Sequence, residues 1–374
     1  MTRSAEPVQQ KNETSPSVDL VSPAFVSKRQ QIWFLALLVC ILILPQVITW
    51  SGTVSRRNSY EIMPENQGAY SFVMKEVFDN TEDIDILFLG SSILFNGVDT
   101  PQVQKELSLK LGRPARVVTF GHYFNSIDIL HMQVRDLLER KRVRLVVMSI
   151  PRMPYNDGPS TTAHRFFRYS DDKETFDELP FKYQAVLYSS AILRTPKDLL
   201  TLVRPNGSTP SDFAQDLGAD KSALGMGRDP LTFERYAPAS PQIKYSDLIY
   251  SDDSREKFRF TGDPIPFYQN VHFDKLIDQL RQHHTSVMML NIPQYSERHS
   301  DKIVERDDWA KRFQMDIPLV GVPPATLFAG LNEEEIEKLH FDEEHLNLNG
   351  NEFFTRTVLP AILMVYETHA SKTF

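Results

Sequence analysis

The feature that most constrains the fold is an alternation of short apolar runs with amphipathic stretches, which begins at Ile84. The apolar runs carry few polar residues, as strands buried on both faces of a sheet do. The stretches between them, 100–112 and 126–141, place apolar residues at helical spacing. Strands that alternate with helices pair in parallel, with the helices on both faces. We therefore predict an α/β fold with a doubly wound parallel sheet in three layers. Its first three strands are "IDILFLG", "ARVVTFG" and "VRLVVMSIP", residues 84–90, 115–121 and 143–151.

The alternation stops after the third predicted strand. Residues 152–265 are rich in Pro, Asp, Ser and aromatic residues, and only 183–203 has helical spacing. We interpret 152–265 as a long insertion or lid. The pattern resumes beyond it, so residues 69–374 are predicted to form one α/β domain. The later elements are a helix at 273–284, a strand at 286–293 and a last helix at 350–369.

The N-terminal fifty residues predict a membrane anchor. Residues 1–30 are polar and are predicted to form a disordered tail. The segment from Ile32 to Trp50 has no charged residue and is 19 residues long, enough for a helix to cross a bilayer. A cleaved signal peptide would have a shorter apolar core and a small-residue cleavage site. We predict an uncleaved anchor at 31–50 and a stalk at 51–68.

A short N-terminal tail usually stays in the cytoplasm, although the basic residues that flank the anchor balance and do not fix its orientation. The expected localisation is a single-pass membrane protein whose catalytic domain, after residue 50, is periplasmic or extracellular.

Composition excludes several classes of function. The net charge is −8 with acidic and basic residues mixed, so no basic patch for nucleic acid is expected. The single cysteine, Cys40, allows no intrachain disulfide. The acidic pairs at 171–172 and 252–253 lack the glycine and the spacing of a calcium loop. We expect no metal and no cofactor.

Two separate stretches could carry chemistry. Reactive groups of a doubly wound sheet collect at the carboxyl ends of its strands, where Ser91, Ser92 and Gly121 lie. Far along the chain, Asp342 and His345 are three residues apart, which on one turn of helix puts both side chains on one side. A carboxylate there can hold imidazole Nδ1–H and leave Nε2 free to take a proton from a hydroxyl. A plain small-residue turn and a solvated acidic loop are the alternatives.

Together the two stretches resemble a known family. "FLGSS" after the first strand and "DEEHLNLNG" before the last helix resemble the SGNH (GDSL-like) hydrolase superfamily, over residues 84–151 and 285–365. The resemblance implies a flavodoxin-like sheet and a catalytic triad of Ser92 as nucleophile, His345 as base and Asp342 as its partner. It also implies an oxyanion hole from the backbone N–H groups of Ser92 and Gly121. Ser91 replaces the family's usual aspartate.

The sequence departs from the family after the third strand, where the family has an asparagine whose side chain donates to the oxyanion. Here the strand continues into "SIPRMPYND". Arg152, Asn156 and Asn291 are alternative donors, or the hole has only two backbone donors. Losing one such donor typically costs about 10²–10³ in rate.

The anchor narrows the functions that the resemblance implies. Membrane-anchored SGNH-like proteins include partners of membrane-bound O-acyltransferases, as in alginate acetylation and teichoic acid D-alanylation. The resemblance thus implies a serine acyltransferase that O-acetylates an exopolysaccharide of the cell envelope, beside such a membrane partner. One alternative is an anchored carbohydrate esterase, deacetylase or lipase-like hydrolase. Another is a non-catalytic glycan-binding or scaffold protein. The sequence leaves the acyl donor, the acceptor and the oligomeric state open.

Overall fold

The computed structural model describes residues 27–50, 55–63, 69–121, 126–149, 157–167, 169–203, 235–261, 264–307 and 317–370. The chain divides into two compact units, Met1–Leu44 and Pro45–Phe374, and the second contains the sheet.

The main sheet has five strands, all paired in parallel, in the order β2-β1-β3-β5-β7. Because β2 and β3 lie on opposite sides of β1, the winding reverses at β1, as in a doubly wound fold. The predicted α/β class and parallel sheet are confirmed. Two further strands, β4 and β6, form a separate parallel pair. The strands are β1 Ile84–Gly90, β2 Val117–Gly121, β3 Val143–Met148, β4 Phe258–Phe260, β5 Ser286–Leu290, β6 Ile303–Glu305 and β7 Leu319–Val320.

Helices pack on both faces of the main sheet. In β1, Leu87 and Leu89 enter one apolar core while Ile86 and Phe88 enter the other, as alternation along a strand requires. The described α-helices are α1 Lys28–Trp50, α2 Arg56–Glu61, α3 Ala69–Met74, α4 Ser92–Gly97, α5 Thr100–Leu111, α6 Ile127–Leu138, α7 Ala163–Phe166, α8 Tyr169–Glu178, α9 Phe181–Val203, α10 Phe267–Gln282, α11 Pro324–Leu327, α12 Glu333–Glu337 and α13 Leu348–Val365.

The two cores assign these helices to faces. Apolar side chains of α6 and α10 share the core of Leu87 and Leu89. Those of α4, α5 and α13 share the core of Ile86 and Phe88. The sheet is therefore buried on both sides, which explains why its strands are almost continuously apolar.

The predicted insertion is integrated with the sheet where the structure describes it. Its helices α7 and α9 contribute Phe166, Tyr183 and Leu187 to the core that contains α6, and Phe176 of α8 packs against that core. The predicted helix at 183–203 is present and begins two residues earlier, at Phe181. The described part of 152–265 therefore packs as a wall of the domain, whereas residues 204–234 lie outside the description.

Part of the predicted stalk is folded. Ser55 caps α2, and Tyr60 in this helix is only 2% exposed. The Tyr60 hydroxyl donates a hydrogen bond of 3.0 Å to Asp136 on α6. Residues 55–63 thus differ from the predicted stalk because burial of this aromatic ring fixes them to the domain. Residues 51–54 and 64–68 are outside the described residues.

The predicted anchor segment 31–50 lies within one helix, α1, which begins at Lys28. Its large apolar side chains from Ile32 to Leu44 are exposed, as is that of Val47. Among the described residues, no helix combines the length and the apolar character needed to cross a membrane. Of the predicted tail 1–30, residues 1–26 lie outside the described part of the chain.

Candidate active site

The two adjacent serines have different surroundings at the carboxyl end of β1. Ser91 has extended backbone angles and caps α4, since its Oγ accepts a hydrogen bond from the N–H of Ile93 at 3.4 Å. Ser92 is the first residue of α4. The backbone N–H groups of a helix's first turn have no acceptor within the helix. Ser92 therefore presents both its hydroxyl and its N–H at the carboxyl end of β1.

The structure brings Ser92, His345 and Asp342 into one hydrogen-bonded series. Ser92 Oγ lies 2.9 Å from His345 Nε2. His345 Nδ1 lies 2.9 Å from both Asp342 carboxylate oxygens. Because an ionised carboxylate only accepts, Nδ1 carries the ring hydrogen and Nε2 is left to accept from the serine hydroxyl. The contacts predicted among these three side chains are present.

Asp342 and His345 lie in a tight loop rather than on the helical turn that their spacing predicts. The loop is closed by an antiparallel bridge between His340 and Leu346. Within it, the Phe341 N–H donates to the His345 carbonyl at 2.8 Å. Asp342 Oδ1 accepts from the N–H groups of Glu344 and His345, at 2.8 Å each. This carboxylate therefore folds its own loop as well as holding the imidazole.

Asn347, two residues after His345, holds the loop against the start of α13. Asn347 is the N-cap of α13, and its Oδ1 accepts from the N–H groups of Asn349 and Gly350. Its amide nitrogen donates to the carbonyls of Lys338 at 2.9 Å and His340 at 3.0 Å. One side chain thus ties both ends of the His345 loop to the helix.

Gly350 is required by close packing at the same place. A Cβ at this position would lie 2.0 Å from the carbonyl oxygen of Leu339, closer than any real contact. The glycine allows the segment before the loop to lie directly against the first turn of α13. Any larger residue must displace that segment.

The charge of Asp342 is stabilised by its surroundings. Burial raises the pKa of this carboxyl. Hydrogen bonds from the Glu344 N–H and from the ring and N–H of His345 lower the pKa, and together they outweigh the effect of burial, so the net shift is downward. The Asp342 side chain is 44% exposed and that of His345 is 13% exposed. The ionised carboxylate favours the imidazolium that forms when His345 takes a proton.

The elements that carry Ser92 and His345 are joined directly. Asn96 in α4 donates to the Ser92 carbonyl at 2.9 Å, and Asn351 in α13 donates to the Asn96 carbonyl at 2.8 Å. The Asp99 N–H donates to the Thr355 hydroxyl at 2.7 Å. This link is not predicted from the sequence, whose only signal for it is the repeated asparagine in "NLNGN".

Gly121 lies beside the Ser91–Ser92 turn. It pairs with Gly90 at the ends of β2 and β1. A Cβ on Gly121 would lie 3.2 Å from the Ser91 carbonyl oxygen and 3.2 Å from Phe95 Cβ. The absence of a side chain thus allows the end of β2 to approach the turn that holds Ser92, as the predicted two-donor oxyanion hole requires.

Of the three side chains predicted as alternative oxyanion donors, the structure describes only Asn291. Asn291 directs its amide away to β6, donating to the Val304 carbonyl at 3.2 Å and to Glu305 Oε1 at 2.6 Å. Both amide hydrogens are used there, so in this arrangement Asn291 has no hydrogen left to donate to an oxyanion. Arg152 and Asn156 lie outside the described residues.

Neither a metal-binding cluster among the described residues nor a match to a known protein identifies the function of this site. In the described ranges, no three His, Cys, Asp or Glu side chains are grouped to hold a metal ion. No model of a known protein family matches the chain, and no curated protein matches it either.

Proposed function

We propose that this protein is a serine acyl-transfer enzyme that uses Ser92, His345 and Asp342. The single observation that carries the proposal is the contact of Ser92 Oγ with His345 Nε2 at 2.9 Å, while Asp342 holds the opposite ring nitrogen. A hydroxyl, a base and a group that orients the base, in this order, are the parts that nucleophilic acyl transfer needs. The strand order β2-β1-β3-β5-β7 supports extending the proposal to a flavodoxin-like, three-layer SGNH fold.

In the first step, His345 Nε2 takes the Ser92 proton as Oγ attacks the carbonyl carbon of an acyl ester. The carbonyl oxygen becomes an oxyanion, which the N–H groups of Ser92 and Gly121 stabilise. When the tetrahedral intermediate collapses, the donor alcohol leaves and takes the proton from His345. The acyl group is then bound to Ser92 as an ester.

In the second step, His345 takes a proton from an acceptor hydroxyl, whose oxygen attacks the acyl carbonyl. Ser92 leaves and regains its proton from His345, so the enzyme returns to its starting state. Asp342 stays ionised throughout and stabilises the transient imidazolium. If the acceptor is a sugar hydroxyl, the product is an O-acylated glycan.

We take an extracytoplasmic polysaccharide as the acceptor and a membrane-bound O-acyltransferase as the partner, because the resemblance to anchored SGNH-like proteins implies both. The exposed apolar side chains of α1 agree with a position at a membrane. Hydrolysis is the second candidate. The partial exposure of His345 favours it, because water that reaches the acyl-Ser92 ester competes with a sugar hydroxyl.

The test is release of acetate from an activated acetyl ester by the purified full chain. Ser92→Ala should reduce the rate to that of buffer alone. Ser91→Ala is the matched control, since it removes the adjacent hydroxyl but only a 3.4 Å cap contact. A Ser92→Ala rate equal to that of the unaltered chain contradicts the proposal.

The same assay with a polysaccharide acceptor separates the two candidates. Acyl transfer to the polymer that depends on Ser92 identifies a transferase. Acetate release that the polymer does not change identifies an esterase. Inactivity of the unaltered chain in both arms favours the non-catalytic scaffold.

A further inference from the structure

Helix α9 presents an apolar stripe outward. Val186, Leu193 and Leu200 are 47%, 77% and 60% exposed. They are seven residues apart, which places them on one face because two turns of helix take about 7.2 residues. A neighbouring face of the helix is buried, since Tyr183 and Leu187 enter the domain core. Phe181, at the first residue of the helix, is 82% exposed and is the most exposed of the large apolar side chains described.

The charged side chains that α9 exposes to solvent are basic. Lys182 and Lys197 lie on the same face as the apolar stripe by helical spacing, and both are exposed. The only acidic residue of the helix, Asp198, is buried and pairs with Arg165 at 2.9 Å. Lys182 also pairs with Asp157 at 3.1 Å. Apolar residues interleaved with lysines suit the boundary between lipid headgroups and acyl chains, where lysine stems lie on apolar surface and their amines reach anionic phosphates.

Side-chain contacts connect α9 to the segment that follows the predicted anchor. The predicted anchor helix α1 ends at Trp50, and only four residues separate it from Ser55, which caps α2. Arg165 contacts both Met63, just after α2, and Asp198 on α9. The domain segment nearest in sequence to the anchor is therefore joined to α9 through one side chain.

We infer that the outward face of α9, defined by Val186, Leu193, Leu200 and the two lysines, binds the surface of an anionic lipid bilayer. Such binding would orient the domain on the membrane independently of the chemistry at Ser92. The attraction between lysines and anionic headgroups is electrostatic, so it weakens in salt, whereas the apolar contact does not.

The experiment uses the full chain in vesicles with one fluorescent label. Cys40, the only natural cysteine, is replaced by Ala so that Leu193→Cys gives a single labelling site. Leu109→Cys is the matched control, because Leu109 is 69% exposed and lies on α5, which packs in the other core. Nitroxide groups on lipid acyl chains quench labels in the bilayer, and iodide in water quenches labels in solvent.

In vesicles of phosphatidylethanolamine and phosphatidylglycerol, lipid nitroxide should quench the label at position 193 several-fold more than the label at 109. Lys182→Glu with Lys197→Glu should remove most of that difference, and vesicles of phosphatidylcholine alone should give a smaller one. Equal lipid quenching at both positions overturns the proposal. So does protection of position 193 from iodide that persists in detergent without lipid, because a second copy or another protein then covers the face.

Discussion

At the residue scale, Asp342 has two roles that a single substitution can separate. Its carboxylate holds His345 Nδ1, and it also accepts the backbone N–H groups of Glu344 and His345. An amide in its place keeps an oxygen for the backbone but removes the negative charge that stabilises the imidazolium. The loop should therefore survive a substitution that disables the base.

We expect Asp342→Asn to reduce kcat for ester cleavage by about 10³–10⁴, because the imidazole loses its orienting anion. The measurement is steady-state kinetics with the activated ester, alongside thermal unfolding to check that the fold persists. Glu343→Gln is the control, since it makes the same charge change beside the triad. Equal effects of the two substitutions would show that local charge, and not contact with His345, is what matters.

The residue-scale prediction from sequence was limited by what a motif contains. Asp342 and His345 could be paired from their spacing, and Ser92 could be named because "FLGSS" and "DEEHLNLNG" together resemble a known family. Asn347 could not be given its role, since its partners are the carbonyls of Lys338 and His340. Backbone acceptors have no sequence signal, and only the path of the folded loop places them within reach.

At the scale of elements, the first turn of α13 and the loop before it behave as one unit. We expect Gly350→Ala to lower the free energy of unfolding by about 1–3 kcal/mol or more, because the new methyl group overlaps the Leu339 carbonyl oxygen. Ester cleavage should fall as well, since displacing Leu339 moves the His345 loop. Urea unfolding and the ester assay measure the two effects.

Gly158→Ala is the matched control, because its nearest neighbour to a new Cβ, Tyr183 Cε1, lies at an ordinary 3.9 Å. A Gly350→Ala protein as stable and as active as the control would contradict the close packing described here.

The contact between α6 and α10 contains a buried histidine pair that predicts acid sensitivity. His131 Nδ1 lies 3.1 Å from His272 Nδ1. Burial lowers the pKa of both rings, that of His272 to about 4. The nearby charges are Asp128, which raises the pKa of His272, and Arg135 and Lys275, which oppose protonation of the pair.

Because an unfolded histidine has a pKa of about 6.5, the unfolded chain binds protons below that pH while the folded pair does not. Stability is therefore complete above about pH 6.5 and falls toward pH 4, by about 1.4 kcal/mol per pH unit for each histidine that stays neutral. His272→Gln should reduce this slope by about that amount in urea unfolding between pH 7 and 4.5. The exposed His283→Gln is the control, and an unchanged slope in the His272 variant would exclude the pair as the cause.

The longer strands were predicted from the sequence, and the shortest ones were not. β1, β2, β3 and β5 follow their apolar runs, with ends trimmed by up to three residues. β7 has two residues, and β4 and β6 have three each, which is too short for any periodicity to appear. Pairing with neighbours creates these strands, so they depend on the tertiary structure.

At the scale of the whole molecule, the chain from α2 onward forms the folded domain, and α1 is the segment predicted to hold it at a membrane. We expect the full chain to stay with membranes after washes in high salt and alkaline carbonate. The chain without residues 1–50 should be released by the same washes, because its remaining contact through α9 is partly electrostatic. Immunoblots of pellet and supernatant measure the distribution, and identical distributions of the two chains would contradict the predicted anchor.

The amino-acid sequence was sufficient to predict the α/β class, the helices on both faces and the residue types of the candidate site. It was sufficient because hydrophobic periodicity and the three-residue spacing of Asp342 and His345 are local properties. The tertiary structure alone decided the strand order, the burial of Tyr60 and the use of the Asn291 amide on β6. Ser92 and His345 are 253 residues apart, and only the packing of α4 against α13 brings their reactive atoms within 2.9 Å.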